Sequence, residues 1–208
     1  GGFDKSGTGV RLTQSSVNMD HVAEIDALLD IQAPHHKRYQ RVRFYKGREY
    51  TEHTWFFSGE IANRVRSDLP GKEPNWSLLW RMTQDEKLAF IDAAMKGDGS
   101  YSTSGGAFYQ NGAKNLEWFQ ALLHTVGKQG RINSRKGSVG IHHNPTTDLQ
   151  SRHLKDDGED YDGDVWCVRV KTGAFVARRG GKIFITGNSG FPKSLNVGRA
   201  IQSKIATG

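Results

Sequence analysis

At 208 residues the chain can bury one sizeable core or two small ones. Its formal net charge of +7 points to an anionic partner, nucleic acid first, and no apolar run reaches membrane-spanning length or has the pattern of a signal peptide, so no membrane partner is expected. A single cysteine excludes an internal disulfide and leaves the redox compartment unreadable from bridges.

The sequence opens at Gly1-Gly2 without methionine, which reads as a fragment or a processed piece. Gly9 to Gln14 reads as a strand, Asn18 as a helix cap, and Met19, Val22, Ile25 and Leu29 as one face of a helix. A basic strand, Lys37 to Tyr45, follows. Period-two alternation places Arg41, Arg43 and Tyr45 on one face and Gln40, Val42 and Phe44 on the other.

Next comes a helix over Thr83 to Gly99. Thr83 and Glu86 have capping-box spacing, and Leu88, Ile91 and Met95 share a face. Gly97 to Gly99 should fray it. Ala93 and Gly97 lie four residues apart, a spacing that lets two helices cross closely. An acid just beyond such a crossing would meet its counterpart from the other helix, as two-carboxylate metal chemistry requires.

The first pattern then returns at an offset of roughly 95 residues. Gly106 to Gln110 reads as a strand, Asn115 as a cap, and Leu116, Phe119, Leu123 and Val126 as a helix face stopped by Gly127. A second basic, strand-like stretch runs from Arg131 to Lys136 and includes Arg135. A single charged strand is usually a solvated face; two in equivalent repeat positions favour a shared basic surface. His142, His143 and His153 read as surface or DNA-facing residues. Near the carboxyl end, apolar runs from Val165 to Phe175 and from Lys182 to Ile185 flank Gly180-Gly181 and read as a hairpin, followed at once by Asn188-Ser189.

The helix and the repeat resemble the LAGLIDADG homing endonucleases found inside inteins. Ile91 to Gly99 aligns with the nine-residue family motif, with Ala93 standing for a Gly and Met95-Lys96 for the central Ile-Asp. The resemblance implies that Asp98 is a catalytic, Mg²⁺-binding acid. It also implies that two units form a saddle over the major groove of double-stranded DNA, with Arg41, Arg43, Tyr45, Arg131, Arg135 and Lys136 as DNA-binding residues. Because Gly99-Ser100-Tyr101 corresponds to Gly1-Gly2-Phe3, the partner acid is expected one residue upstream of Gly1. The chain alone should then bind Mg²⁺ poorly and leave DNA uncut.

The carboxyl-terminal stretch resembles the splicing region of inteins. That resemblance implies that Asn188 cyclises to a succinimide and that Ser189 is the acyl acceptor and first residue of the host protein. It also implies an amino-terminal intein segment, in cis or as a split partner. Gly187 stands where the family usually has His, and no His lies near Gly173-Ala174, so another group must activate the carboxamide. Cys167 has two open readings. It is an initiating nucleophile, as in one intein class that also has a Thr at the position of Thr186, or it is a packed strand residue. The third hallmark of that class, an upstream Trp, is missing.

Ser189 to Val197 is similar to a segment of phage-type, S-adenosylmethionine-dependent DNA methyltransferases. The expected architecture is therefore α+β: two LAGLIDADG-like repeats, the first lacking its motif helix, followed by strands of a Hint splicing domain. Residues 1–150 would be endonuclease, 158–188 splicing region and 189–208 host segment, in a cytoplasmic setting of phage or bacterial host. The alternatives are a catalytically silent basic DNA-binding module and a methyltransferase fragment. The last lacks a Gly-rich cofactor loop after a clear strand.

Overall fold

A computed structural model describes residues 2–4, 7–103, 105–142, 162, 170–179 and 181–187. Two compact units divide the chain, residues 1–142 and 143–208.

In the first unit, β1 (Gly2–Phe3), β2 (Gly9–Ser15), β3 (Lys37–Tyr45) and β4 (Arg48–Ser58) form an antiparallel sheet of order β1-β2-β4-β3. Helix α1 (Met19–Gln32) joins its two hairpins. The turn between β3 and β4 has only two residues, Lys46 and Gly47. Both take positive φ (50° and 75°), as the type I′ turn matching strand twist requires. Helices α2 (Glu60–Asp68), α3 (Trp76–Arg81) and α4 (Gln84–Asp98) follow. Then β5 (Gly99–Ser102), β6 (Gly105–Tyr109), α5 (Ala113–Thr125), β7 (Gln129–Asn133) and β8 (Ser138–His142) repeat the plan, with sheet order β5-β6-β8-β7. The repeat read from the sequence is thus a repeat of topology.

Each sheet buries one face under its own helices. On the first, Val10, Trp55 and Phe57 meet Val22 and Leu29 of α1 and Ala62 of α2. On the second, Phe108 and Val139 meet Ile91 and Met95 of α4 and five apolar residues of α5. Phe108 and Phe119 stack with ring centroids 4.1 Å apart. Each fully buried large side chain contributes about 1.5–3 kcal/mol relative to exposure.

Local signals set the helix ends. Thr83 and Glu86 close the expected capping box on α4. Gly127 (φ 74°) ends α5 in a Schellman arrangement, its N–H donating to His124 and that of Lys128 to Leu123.

Several expectations need correction. Met19 and Leu88 are exposed (55% and 41%), although Val22 and Leu29 of α1 and Ile91 and Met95 of α4 are buried. Asn18 makes no side-chain cap; Ser15 caps a short 3-10 turn ahead of α1 instead. Asn115 is the third residue of α5, whose cap is Gly112. α4 does not fray at Gly97; the Gly99 N–H donates to Met95 and closes the last turn. A Cβ on Gly99 would come within 2.5 Å of the Met95 carbonyl oxygen, so only glycine lets the chain pass straight from helix to strand. A Cβ on Gly97 would meet nothing within 4 Å, so no described helix crosses α4 at that residue.

In the second unit, β9 (Ala174–Arg179) and β10 (Lys182–Gly187) form the expected hairpin, with Gly181 at φ 72° in its turn. The strand entering it begins at Ala174, later than the Val165 start expected, after a turn at 171–173. Residues 163–169 and 188–208 lie outside the described residues.

Candidate nucleic-acid interface

Strand register decides which side chains share a face. Across the first sheet, Arg11 pairs with Phe56, Thr13 with Thr54, Arg41 with Glu52, Arg43 with Tyr50 and Tyr45 with Arg48. Since Trp55, Phe57, His53 and Val10 occupy the buried face, these residues all belong to the opposite one. That outer face carries Arg11, Lys37, Arg41, Arg43 and Arg48 against one acid, Glu52. Arg41, Arg43 and Tyr45 lie together there, as their alternation requires.

Arg43 is held in place: its Nε and Nη2 donate to Glu52 Oε1 at 3.4 and 3.2 Å. The pair borders a groove of about 230 Å³ with Arg11, Thr13 and Thr54. Arg41 is exposed, and no carboxylate lies within ion-pairing distance of it among the described residues. Not every cation of β3 faces outward. Arg38, on the opposite parity, turns into the core side, where Nη1 meets Asp26 Oδ2 at 2.7 Å and Nη2 lies 3.0 Å from His53 Nδ1. Trp55 Nε1 donates to the other oxygen of Asp26 at 2.7 Å, so one buried-side carboxylate balances that guanidinium.

The outer face of the second sheet is different. Register places Ser100, Ala107, Tyr109, Arg131, Asn133, Ser138 and Gly140 there. Of the expected residues, only Arg131 lies on the strand. Arg135 and Lys136 sit in the β7–β8 turn, because β7 ends at Asn133. The Asn133 side chain and carbonyl both accept from the Lys136 N–H, closing that turn. Both basic residues of the turn are exposed.

Asp98 is the last residue of α4 and is exposed; its Oδ2 accepts a 2.6 Å hydrogen bond from Gln110 Nε2. Two residues earlier, Lys96 pairs with Asp92 (2.8 Å) and with Glu24 of α1 (2.9 Å), joining the two repeats. The hydrogen bonds it donates to Asp92 and then Glu24 raise its pKa further, so it stays cationic. Among the described residues, no group of three or more His, Cys, Asp or Glu could hold a metal ion. One exposed carboxylate supplies too few ligands for a magnesium site, so Asp98 by itself does not hold the expected Mg²⁺.

Thr186 lies on β10 opposite Phe175. Asn188, Ser189 and Cys167 fall outside the described residues. The sequence reading missed Arg11, Lys37, Arg48 and Glu52; Lys37 shares the parity of Arg41 within its own strand, while the other three reach that face through the pairing of β4 with β2 and β3. Nothing in the sequence pointed to Gln110 as the partner of Asp98.

No family model and no curated protein matches the chain. Among solved structures it is similar to I-DmoI in complex with DNA and Ca, at 17% identity and TM-score 0.46, over 67% of this chain and 73% of that one. It is also similar to mesophilic variants of the homing endonuclease I-DmoI, at 17% identity and TM-score 0.47, over 67% and 78%. A third similarity is to I-DmoI with DNA and Mn, at 17% identity and TM-score 0.43, over 67% and 77%.

Proposed function

We propose that residues 1–142 form a duplex-DNA-binding module of the two-repeat LAGLIDADG type, which does not cut DNA on its own. The observation that carries this reading is the outer face of the first sheet. Five cations and one acid line a long antiparallel surface, interleaved with Tyr39, Tyr45, Thr13 and Thr54. Cations there contact phosphates, while Arg, Tyr and Thr side chains reach base edges in the major groove. Asp98 is the catalytic acid of the reading, and it needs a second carboxylate beside it before a metal-dependent step is possible.

The test is duplex affinity as a function of salt. Each phosphate neutralised contributes a slope of about 0.9 in log K against log salt, so Arg41→Ala should lower the slope by about that amount. Affinity independent of salt and of Arg41 would overturn the reading.

A second activity rests on the β9–β10 hairpin, which ends at Gly187, directly before Asn188. We infer that Asn188-Ser189 is a splicing junction completed by an amino-terminal intein segment. The Asn188 side-chain nitrogen attacks its own carbonyl carbon and releases the residue behind it; Ser189 Oγ has by then accepted the acyl group. Thr186 is carried with the junction, and Cys167 is either the initiating nucleophile or a packed residue. Co-expression with such a segment should give a spliced product that Asn188→Ala abolishes. Equal splicing by Asn188→Ala would end this reading.

A further inference from the structure

Resting on the DNA-binding reading, we infer that the two sheets read a duplex unequally. The sheet β1-β2-β4-β3 carries most of the sequence discrimination, and the sheet β5-β6-β8-β7 tolerates changes of base.

Three observations lead there. The first is length. β3 and β4 have nine and eleven residues, whereas β7 and β8 have five each. At 3.3–3.4 Å per strand residue and 3.4 Å per base step, the first pair tracks about nine base pairs of groove and the second about five.

The second is reach. On the first outer face, Arg11, Arg43, Tyr39, Tyr45 and Glu52 project polar atoms well beyond Cβ. On the second, Ala107, Ser138 and Gly140 floor a wider groove of about 570 Å³, with Tyr109, Arg131 and Asn133 along it. A floor of Gly, Ala and Ser offers at most one short hydroxyl to a base edge. Discrimination between base pairs comes chiefly from bidentate side chains. Two further cations of that repeat, Arg135 and Lys136, sit at the hairpin tip, where phosphate is the partner within reach.

The third is preorganisation. Glu52 accepts from Arg43 Nε and Nη2 and so fixes the guanidinium in one orientation over its groove, leaving Nη1 and the second Nη2 hydrogen to meet a base edge without first being ordered. Glu52 is a positioning residue here, and Arg43 is the reader. A guanidinium presented this way suits the O6 and N7 acceptors of guanine.

The experiment is selection of duplexes from a library with a randomised segment, using the full chain in the presence of a chelator, followed by sequencing. The expected result is a block of strong preference on one side of the footprint and near-random bases on the other. Arg43→Lys should lower the preference at one step inside the block by roughly ten-fold. Glu52→Gln should weaken the same step while leaving the salt slope unchanged. Arg131→Ala should lower retention of all duplexes alike. Equal preference on both sides, no preference anywhere, or an altered selected sequence in Arg131→Ala would each overturn the inference while leaving DNA binding intact. Failure to retain any duplex at low salt would instead bring down the DNA-binding reading itself. Circular dichroism of each variant separates these results from misfolding.

Discussion

Gln110 Nε2 donates to Asp98 Oδ2 at 2.6 Å, tying the end of helix α4 to the end of strand β6. The carboxylate on which the cutting chemistry would depend is therefore oriented by its own repeat, and among the described residues it belongs to no group of three or more His, Cys, Asp or Glu. Incubated with Mg²⁺ and plasmid or linear duplex, the chain should produce no double-strand breaks, and Asp98→Asn should bind duplex at least as tightly, since it removes a negative charge. Magnesium-dependent cutting that disappears with Asp98→Ala would refute this account.

Gly130 is fixed by packing, because its φ is ordinary. A Cβ there would lie 2.7 Å from Leu123 Cδ1 and 2.9 Å from Val139 Cγ1, both on fully buried side chains. Gly130→Ala should destabilise the fold by about 1–3 kcal/mol, read as a lower urea midpoint with unchanged m-value. No loss of stability would mean that this part of the core yields more readily than its packing implies.

The capping box links a cap to a titration. Thr83 donates to Glu86 from its backbone N–H (2.7 Å) and its hydroxyl (3.0 Å), and these bonds hold the Glu86 carboxyl below its ordinary 4.5. A depressed carboxylate stabilises the fold above its unfolded pKa, and that contribution is lost as pH falls through the folded value. Thr83→Ala should cost about 1 kcal/mol near neutrality. It should also move the Glu86 titration, followed by NMR, back toward 4.5. A Glu86 titration unmoved by the substitution would show that the backbone N–H alone sets it.

Burial holds the His124 imidazole, in the last turn of α5, below its ordinary 6.5. The unfolded chain binds that proton more readily, so the contribution is complete above about pH 6.5 and fades as pH falls through the folded value. The denaturation midpoint should therefore drop on acidification across this window, and His124→Gln should flatten the drop. An identical pH profile in the variant would assign the slope to other groups.

Part of the site was legible because strand alternation is a local property. Arg41, Arg43 and Tyr45 fall on one face whatever covers the other, and the cap at Thr83 and the stop at Gly127 are each closed within one turn of chain. The same reasoning could not say which strand partners bring Arg11, Arg48 and Glu52 to that face. Pairing between β2, β3 and β4 is long-range, and register comes from the burial of Trp55 and Phe57.

By itself, then, the sequence determined the repeat, the cap at Thr83, the stop at Gly127, the alternating basic strand and the carboxyl-terminal hairpin. Each is set by backbone preferences over a few residues. Only the tertiary structure decided that Arg38 turns inward to Asp26, that Met19 and Leu88 stay in solvent, and that Arg135 and Lys136 leave the strand for a turn. Those outcomes depend on how far a neighbouring element extends over a face and on where a distant charge waits. A periodic pattern carries no record of either.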